Sequence, residues 1–276
     1  MKGSSQGAPV GVFDSGLGGL SVTQALARAL PHEDLVYLGD TARVPYGVRS
    51  EKTVVRYALA CAEFLQRRGI KALVVACNTV SAVALEALRA SLTIPVLGVI
   101  EPGARSAVAL SRSGVVGIIA TPGTVASQAY PKAIARLCPE LRVLSVEAPL
   151  LVPLVEEGWW EGQVPRLVIR HYLQRFEANT LDTLILGCTH YPLLAPLILD
   201  EGRACLGSAL QVIDGASATA EALRALLEER QAFNAQDKQG RLQLVFTDRT
   251  ARASAFLERV LGLPSREVSI EEEDLS

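Results

Sequence analysis

Two stretches of the chain share one pattern, and together they restrict what it can fold into. Leu73-Val74-Val75-Ala76-Cys77-Asn78-Thr79-Val80-Ser81 and Leu184-Ile185-Leu186-Gly187-Cys188-Thr189-His190-Tyr191-Pro192 each pass from apolar residues through a small residue to a cysteine and two polar residues. Each then leads into helical spacing. An apolar run of this length ending at such a break reads as a buried parallel strand. Both thiols then stand where a strand ends and a helix begins, which in open parallel sheets is the ligand-binding edge. One such thiol in each half-chain points to a site built by two similar halves that face each other.

The flanking pattern supports this. A strand over 10–13 ends in Asp14-Ser15-Gly16-Leu17-Gly18-Gly19, and a helix follows over 20–30. This is a partial dinucleotide fingerprint, with Asp40 at the place of the usual downstream acid. Asp40, however, belongs to a segment through Pro45-Tyr46-Gly47 that reads as a substrate loop. A strand at 35–38 and a helix over 51–68, capped by Ser50 and ended by Gly69, come next. A strand over 72–76, the helix after Cys77 and a strand over 94–100 complete the first half; Glu101-Pro102-Gly103 reads as the crossover.

The alternation restarts with strands at 115–120, 141–146 and 183–187 and helices near 125–136, 165–176 and from 192. Leu150, Leu151 and Val152 read as loop, because Pro149 and Pro153 bracket them. Asp214 reads as a turn or cap before a helix over 216–231. A last strand at 242–246, a last helix at 251–261 and a solvated acidic end, 271–274, are expected. Strand–helix alternation throughout predicts an α/β fold. Two similar parallel-sheet domains are expected, residues 1–99 and 100–209, with the active site in the cleft between them and residues 210–276 returning to the first domain.

Composition narrows the function. A net charge of −2 without a basic block, and only 5% aromatic residues, argue against nucleic-acid binding. No apolar run reaches the ~18 residues of a membrane span, and Met1 to Pro9 lacks the apolar core of a signal peptide, so a cytoplasmic protein with no membrane partner is expected. None of the five cysteines is in CxxC spacing, and Cys188 with His190 has no second pair, so free thiols and no metal site are expected.

Two facing thiols suit removal of a proton from one face of a carbon and its return to the other, with roles that exchange in the reverse direction. A thiol pKa near ~8.5, lowered at a helix N-terminus, lies close to what general acid–base catalysis needs. Asp14 is placed to assist Cys77 if their strands are neighbours, with a simple helix cap as the lesser reading. His190 can assist Cys188, with Glu156 orienting its ring. Ser15, Asn78, Thr79, Thr121, Thr124 and Thr189 all follow strand ends, a set of neutral donors that suits carboxylates.

At these residues the chain resembles the glutamate racemases of the cofactor-independent amino-acid racemase superfamily. The resemblance lies in Val12 to Gly19, Gly39-Asp40 to Gly47, Ala76 to Thr79, Thr121 to Tyr130, Val152 to Glu156 and Gly187 to Pro192. It implies Cys77 and Cys188 as acid/base thiols, Asp14 and His190 as their respective assistants, and Glu156 as the partner of His190. It implies substrate contacts from Ser15, Pro45, Tyr46, Gly47, Asn78, Thr79, Thr121 and Thr189. The implied reaction is interconversion of L- and D-glutamate without a cofactor, supplying D-glutamate for peptidoglycan, in a homodimer. No lysine stands just past a strand end as a Schiff-base lysine should. Glu147-Ala148-Pro149 departs from the family's usual Cys-Pro pair. The short N-terminus suggests no strong dependence on a cell-wall precursor as activator. Alternatives are an aspartate racemase or related diacid isomerase, and a non-catalytic dicarboxylate-binding protein.

Overall fold

The apolar runs become strands covered on both faces, the situation of a parallel sheet between helices. A computed structural model of the chain describes residues 6–249, 256–257, 262 and 266–275. The first half runs β1 (Val10–Asp14), α1 (Leu20–Ala29), β2 (Leu35–Gly39), α2 (Glu51–Arg67), β3 (Ala72–Val75), α3 (Asn78–Val83), α4 (Leu85–Ser91) and β4 (Val96–Gly98). The second runs α5 (Ile100–Leu110), β5 (Val115–Ala120), α6 (Pro122–Ser127), α7 (Ala129–Leu137), β6 (Arg142–Glu147), α8 (Leu151–Glu156), α9 (Gln163–Leu173) and β7 (Thr183–Gly187). A 3-10 turn (Tyr191–Leu194), α10 (Ala195–Leu206) and β8 (Gln211–Asp214) follow, and then α11 (Gly215–Glu229), β9 (Leu242–Phe246) and β10 (Val268–Glu272).

Two parallel sheets result, ordered β10-β9-β2-β1-β3-β4 and β6-β5-β7-β8. The order β2-β1-β3-β4 in the first is repeated by β6-β5-β7-β8 in the second. Each half therefore changes direction between its first and third strands, where diverging loops open a crevice at the strands' C-terminal ends. Asp14 ends β1, Thr121 follows β5, and the two cysteines stand just past β3 and β7, so all of these residues lie at the two switch points. The chain crosses between the sheets near Val99 and returns near Gly215, and these two segments lie side by side, since a Cβ on Gly215 would stand 3.5 Å from the Val99 carbonyl.

The structure corrects several local expectations, most of them at prolines. Glu101-Pro102-Gly103 is not a crossover loop but the first turn of α5, and the 150–152 segment is loop only up to Leu150, since Leu151 opens α8 with Pro153 in its first turn. The first N–H groups of a helix have no partner within it, so a proline there loses nothing. The helix expected over 125–136 is split at Gln128, which takes φ +56°. Pro131 has no N–H to give the Ser127 carbonyl and its ring crowds it; that carbonyl accepts from Lys132 Nζ instead, at 3.1 Å.

The C-terminal region also differs. The return expected from 210 starts later, because β8 pairs with β7 in the second sheet, and α11, packed on α1 and α5, leads back. The acidic end is not a solvated tail: Val268–Glu272 forms β10 beside β9, and Glu271 lies 3.1 Å from Arg68. The helix expected at 251–261 falls largely outside the described residues. Asp214 does cap α11, accepting from the N–H groups of Ala216 and Ser217.

One buried ion pair ties the N-terminal segment and the segment after α11 to the first sheet. Lys71 Nζ donates to the carbonyls of Gln6 and Ala232 and lies 2.6 Å from Glu33 Oε2, while Glu33 Oε1 accepts from the Asn234 N–H. Both side chains are buried. Replacing Lys71 with Met strands a buried carboxylate and is expected to destabilise the fold by about 3–5 kcal/mol, read from the urea midpoint. The double variant Lys71→Met, Glu33→Gln should recover part of that loss; an unchanged midpoint in the single variant would show that the pair carries no stability.

Candidate active site

The strand ends of the two halves enclose a cavity of about 240 Å³. This is below the usual range for drug-sized ligands and fits a small metabolite. Cys77 and Cys188 line it from opposite halves, at equivalent positions of the two sheets. Ser15, Pro45, Tyr46 and Gly47 also line it, as do Asn78, Thr79, Thr121 and Thr189, whereas Thr124, expected among the donors, does not. His190 and Glu156 complete the wall. Asp14 does not line it, being fully buried one layer behind.

On the Cys77 side, β1 and β3 are hydrogen-bonded neighbours, with Phe13 opposite Val75, so Asp14 and Cys77 emerge side by side. Cys77 Sγ donates to Ser15 Oγ at 3.3 Å. Asp14 is not the cap of α1, whose N-cap position is Gly19. Its carboxylate instead accepts from the Gly16 N–H at 3.0 Å and, across the cleft, from Thr189 Oγ1 at 3.3 Å. Burial raises the Asp14 pKa, against the opposing pull of His190 and these hydrogen bonds.

The expectation of a lowered thiol pKa fails at Cys77. Burial and then the neighbouring Asp14 push it up to about 12, outweighing the hydrogen bond to Ser15 and the Val80 N–H of the first turn of α3. A helix N-terminus favours a thiolate by a modest amount, which loss of water around the sulfur overrides. Cys77 is a neutral thiol in this state.

The Cys188 side is organised differently. Cys188 is followed not by a helix but by His190 and the 3-10 turn. Its Sγ lies 3.7 Å from His190 Nδ1, and His190 Nε2 lies 3.2 Å from Glu156 Oε1. Burial works against charge on the imidazole, but the contacts to Cys188 and Glu156 win and raise its pKa to about 10. A cationic ring therefore stands between sulfur and carboxylate.

The halves interlock around the cavity. The Thr79, Thr121 and Thr124 hydroxyls form a triangle with sides of 3.0, 3.1 and 3.3 Å. Tyr130 donates to Asn78 Oδ1 at 2.7 Å, and the Gly123 N–H to the Gly47 carbonyl at 2.9 Å. Glycine is required where they approach most closely. A Cβ on Gly18 would fall 2.5 Å from Thr189 Oγ1 and 2.7 Å from His190 Nδ1, and one on Gly47 would fall 2.8 Å from Thr121.

The sequence reading missed the apolar part of the wall: Val44, Val48, Pro122, Pro149, Val152 and Pro153. The available signal was their position just past the ends of the second strands or beside Thr121. Among the described residues, no three His, Cys, Asp or Glu side chains gather as a metal would require.

Comparison with known proteins gives the family and the fold. The family model described as Asp/Glu/Hydantoin racemase matches residues 10–223. A glutamate racemase of Geobacter metallireducens is 49% identical over 253 residues, covering 92% of each chain. The crystal structure of the Francisella tularensis glutamate racemase in complex with D-glutamate superposes with a TM-score of 0.89 at 34% identity, over 98% of this chain and 99% of that one. The Thermus thermophilus glutamate racemase in complex with beta-chloro-D-alanine gives 0.84 at 42% identity, over 98% of each.

The electrostatics of His190 can be tested without a ligand. The chain has three histidines, so the imidazole protons are resolvable by NMR. The His190 ring should remain protonated through neutral pH and titrate near pH 10. Glu156→Gln should move that titration downward by about one pH unit or more. A His190 that titrates near 6.5 in the unsubstituted protein contradicts the charged arrangement.

Proposed function

The chain belongs to the Asp/Glu/Hydantoin racemase family, and we propose that it interconverts L- and D-glutamate by moving the α-proton between two thiols. The observation that carries this is the presence of Cys77 and Cys188 in one small cavity, contributed by equivalent strand ends of opposite halves. A carbon held between them has one sulfur on each face.

In the L-to-D direction, Cys188 takes the α-proton and Cys77, already a neutral thiol, returns one to the opposite face; the reverse direction exchanges the roles. Taking the proton neutralises the Cys188 thiolate, and in the reverse direction, when Cys188 gives its proton up, the imidazolium of His190 stabilises the negative charge left on the sulfur. Asp14, whose pKa burial raises, is the group beside Cys77 that can take up that thiol's proton when Cys77 must act as the base in the D-to-L direction. The α-carboxylate takes on charge in the planar intermediate, and the hydroxyls and amides of Ser15, Asn78, Thr79, Thr121 and Thr189 are suited to receive it without becoming charged themselves. The loop through Pro45, Tyr46 and Gly47 contributes to holding the side-chain carboxylate. Each step is proton transfer between a thiol and the α-carbon of the substrate, with the α-carboxylate itself receiving the electron pair. The same reading describes a cytoplasmic homodimer whose product, D-glutamate, enters peptidoglycan. No helix among the described residues is long and apolar enough to cross a membrane.

The test is incubation of the purified protein in D₂O with L-glutamate or L-aspartate, following optical rotation and deuterium at the α-carbon. Glutamate should racemise with α-deuteration. Aspartate, one methylene shorter, should be slower by the equivalent of ~1–3 kcal/mol or more. Faster turnover of aspartate makes it an aspartate racemase, and no exchange with either leaves a dicarboxylate binder. Cys77→Ser and Cys188→Ser should each lower turnover by about 10²–10⁴-fold. In single turnovers Cys77→Ser should impair proton abstraction from the D-enantiomer and Cys188→Ser that from the L-enantiomer; reversed defects would reverse the assignment.

A further inference from the structure

The loop that brings Pro45, Tyr46 and Gly47 to the cavity owes its shape to a carboxylate outside the cavity. Asp40 follows β2 directly and is fully buried, and its N–H donates to the Asp14 carbonyl at 3.1 Å. Its Oδ2 accepts from the Tyr46 hydroxyl and, at 2.7 Å, from Arg43 Nε. Its Oδ1 accepts from Arg43 Nε at 3.0 Å and from Thr247 Oγ1 at 2.9 Å. Arg43 neutralises the charge while its guanidinium lies 4.6 Å over the Tyr57 ring, which in turn packs 5.6 Å from the Tyr46 ring. The Tyr46 hydroxyl is thus committed to Asp40 rather than to the cleft.

Thr247 extends this arrangement to the far end of the chain. It follows β9, its N–H donates to the Gly39 carbonyl, and its hydroxyl also accepts from the Ala42 N–H at 2.9 Å. Thr41 and Asp248 bond reciprocally beside it. The loop is therefore held between β2 and β9, and its tip then meets the second half through Gly47 and Gly123.

We propose that Asp40 is the positioning residue of the substrate loop: its carboxylate fixes Tyr46 and Gly47 against the cavity and, through Thr247, makes their placement depend on the returning strand β9. Asp40 acts through these residues and does not itself line the cavity. The consequence for substrate affinity rests on the racemase reading; the ordering of the loop does not.

Asp40→Asn keeps the shape but removes the charge that Arg43 pairs with, and turns an NH₂ toward a guanidinium or a hydroxyl that now donates to the carboxylate. Because charge-assisted hydrogen bonds are the strong ones, KM for both glutamate enantiomers should rise about tenfold or more. The thiols are untouched, so kcat should fall less than about threefold. Amide hydrogen exchange across residues 41–49 should accelerate while α3 stays protected. Thr247→Val, which removes the hydroxyl bonds to Asp40 and from the Ala42 N–H and leaves Arg43 and Tyr46 on Asp40, should give the same pattern at about two- to threefold in KM, with exchange accelerated beyond Ala42 as far as Gly47. A kcat loss at constant KM, or unchanged exchange in the loop, overturns the proposal. If Asp40→Asn does not fold, Thr247→Val decides through the same exchange measurement. If the unsubstituted protein racemises nothing, the racemase reading fails on its own, and the exchange comparison still decides whether Asp40 orders the loop.

Discussion

A carboxylate cannot be buried without partners, and Asp14 is fully buried with partners drawn from both halves of the molecule. The Gly16 N–H holds it from its own loop and Thr189 Oγ1 from the opposite one. His190, also from the opposite half, supplies the positive charge that faces it. Separating the halves would strip Asp14 of that charge and of the Thr189 hydrogen bond. The closed cleft is therefore part of what makes the buried charge tolerable, and the charge in turn sets the environment of Cys77. Gly18 is small for the same reason, since any side chain there would occupy the space of Thr189 and His190.

Topological repetition does not produce chemical repetition. The strand orders match and the cysteines occupy matching ends, yet Cys77 neighbours a carboxylate and Cys188 a cationic imidazole. A carbon placed between them, as proposed, would face a neutral thiol on one side and a sulfur beside positive charge on the other. A two-base racemisation can work with such unlike ends because each turnover moves one proton in and one out, which leaves the total on the enzyme unchanged.

The remaining wall is apolar. Val44 and Val48 come from the loop after β2, and Pro149, Val152 and Pro153 from the segment after β6, the equivalent place in the second half. A wall of this kind restricts water near the sulfurs, and charge interactions grow stronger where water is scarce. It also explains why the cavity boundary depends on elements far away in sequence: the first loop is tied to β9 through Asp40 and Thr247, and the second is held by the Tyr191 hydroxyl on the Ala148 carbonyl.

The α/β class, the two central strands with their cysteines and the polar residues just past the strand ends were legible in the sequence. Each is a local consequence of periodicity: an apolar run must be buried, and whatever follows it emerges at the sheet edge. Prolines were legible only as interruptions, although Pro102 and Pro153 begin helices, because that distinction depends on which N–H groups lack partners. The strand β10 was hidden by its acidic residues, which are stabilised by Arg68 from a helix two hundred residues away. The direction of the Cys77 shift was likewise out of reach. Helix position is a local property, whereas burial and the proximity of Asp14 arise only when β1 is laid beside β3. The sequence by itself determined which polar groups stand at the strand ends; tertiary structure decided which of them face the cavity, what apolar wall surrounds them, and their protonation and mutual distances, because all of these depend on neighbours that only folding supplies.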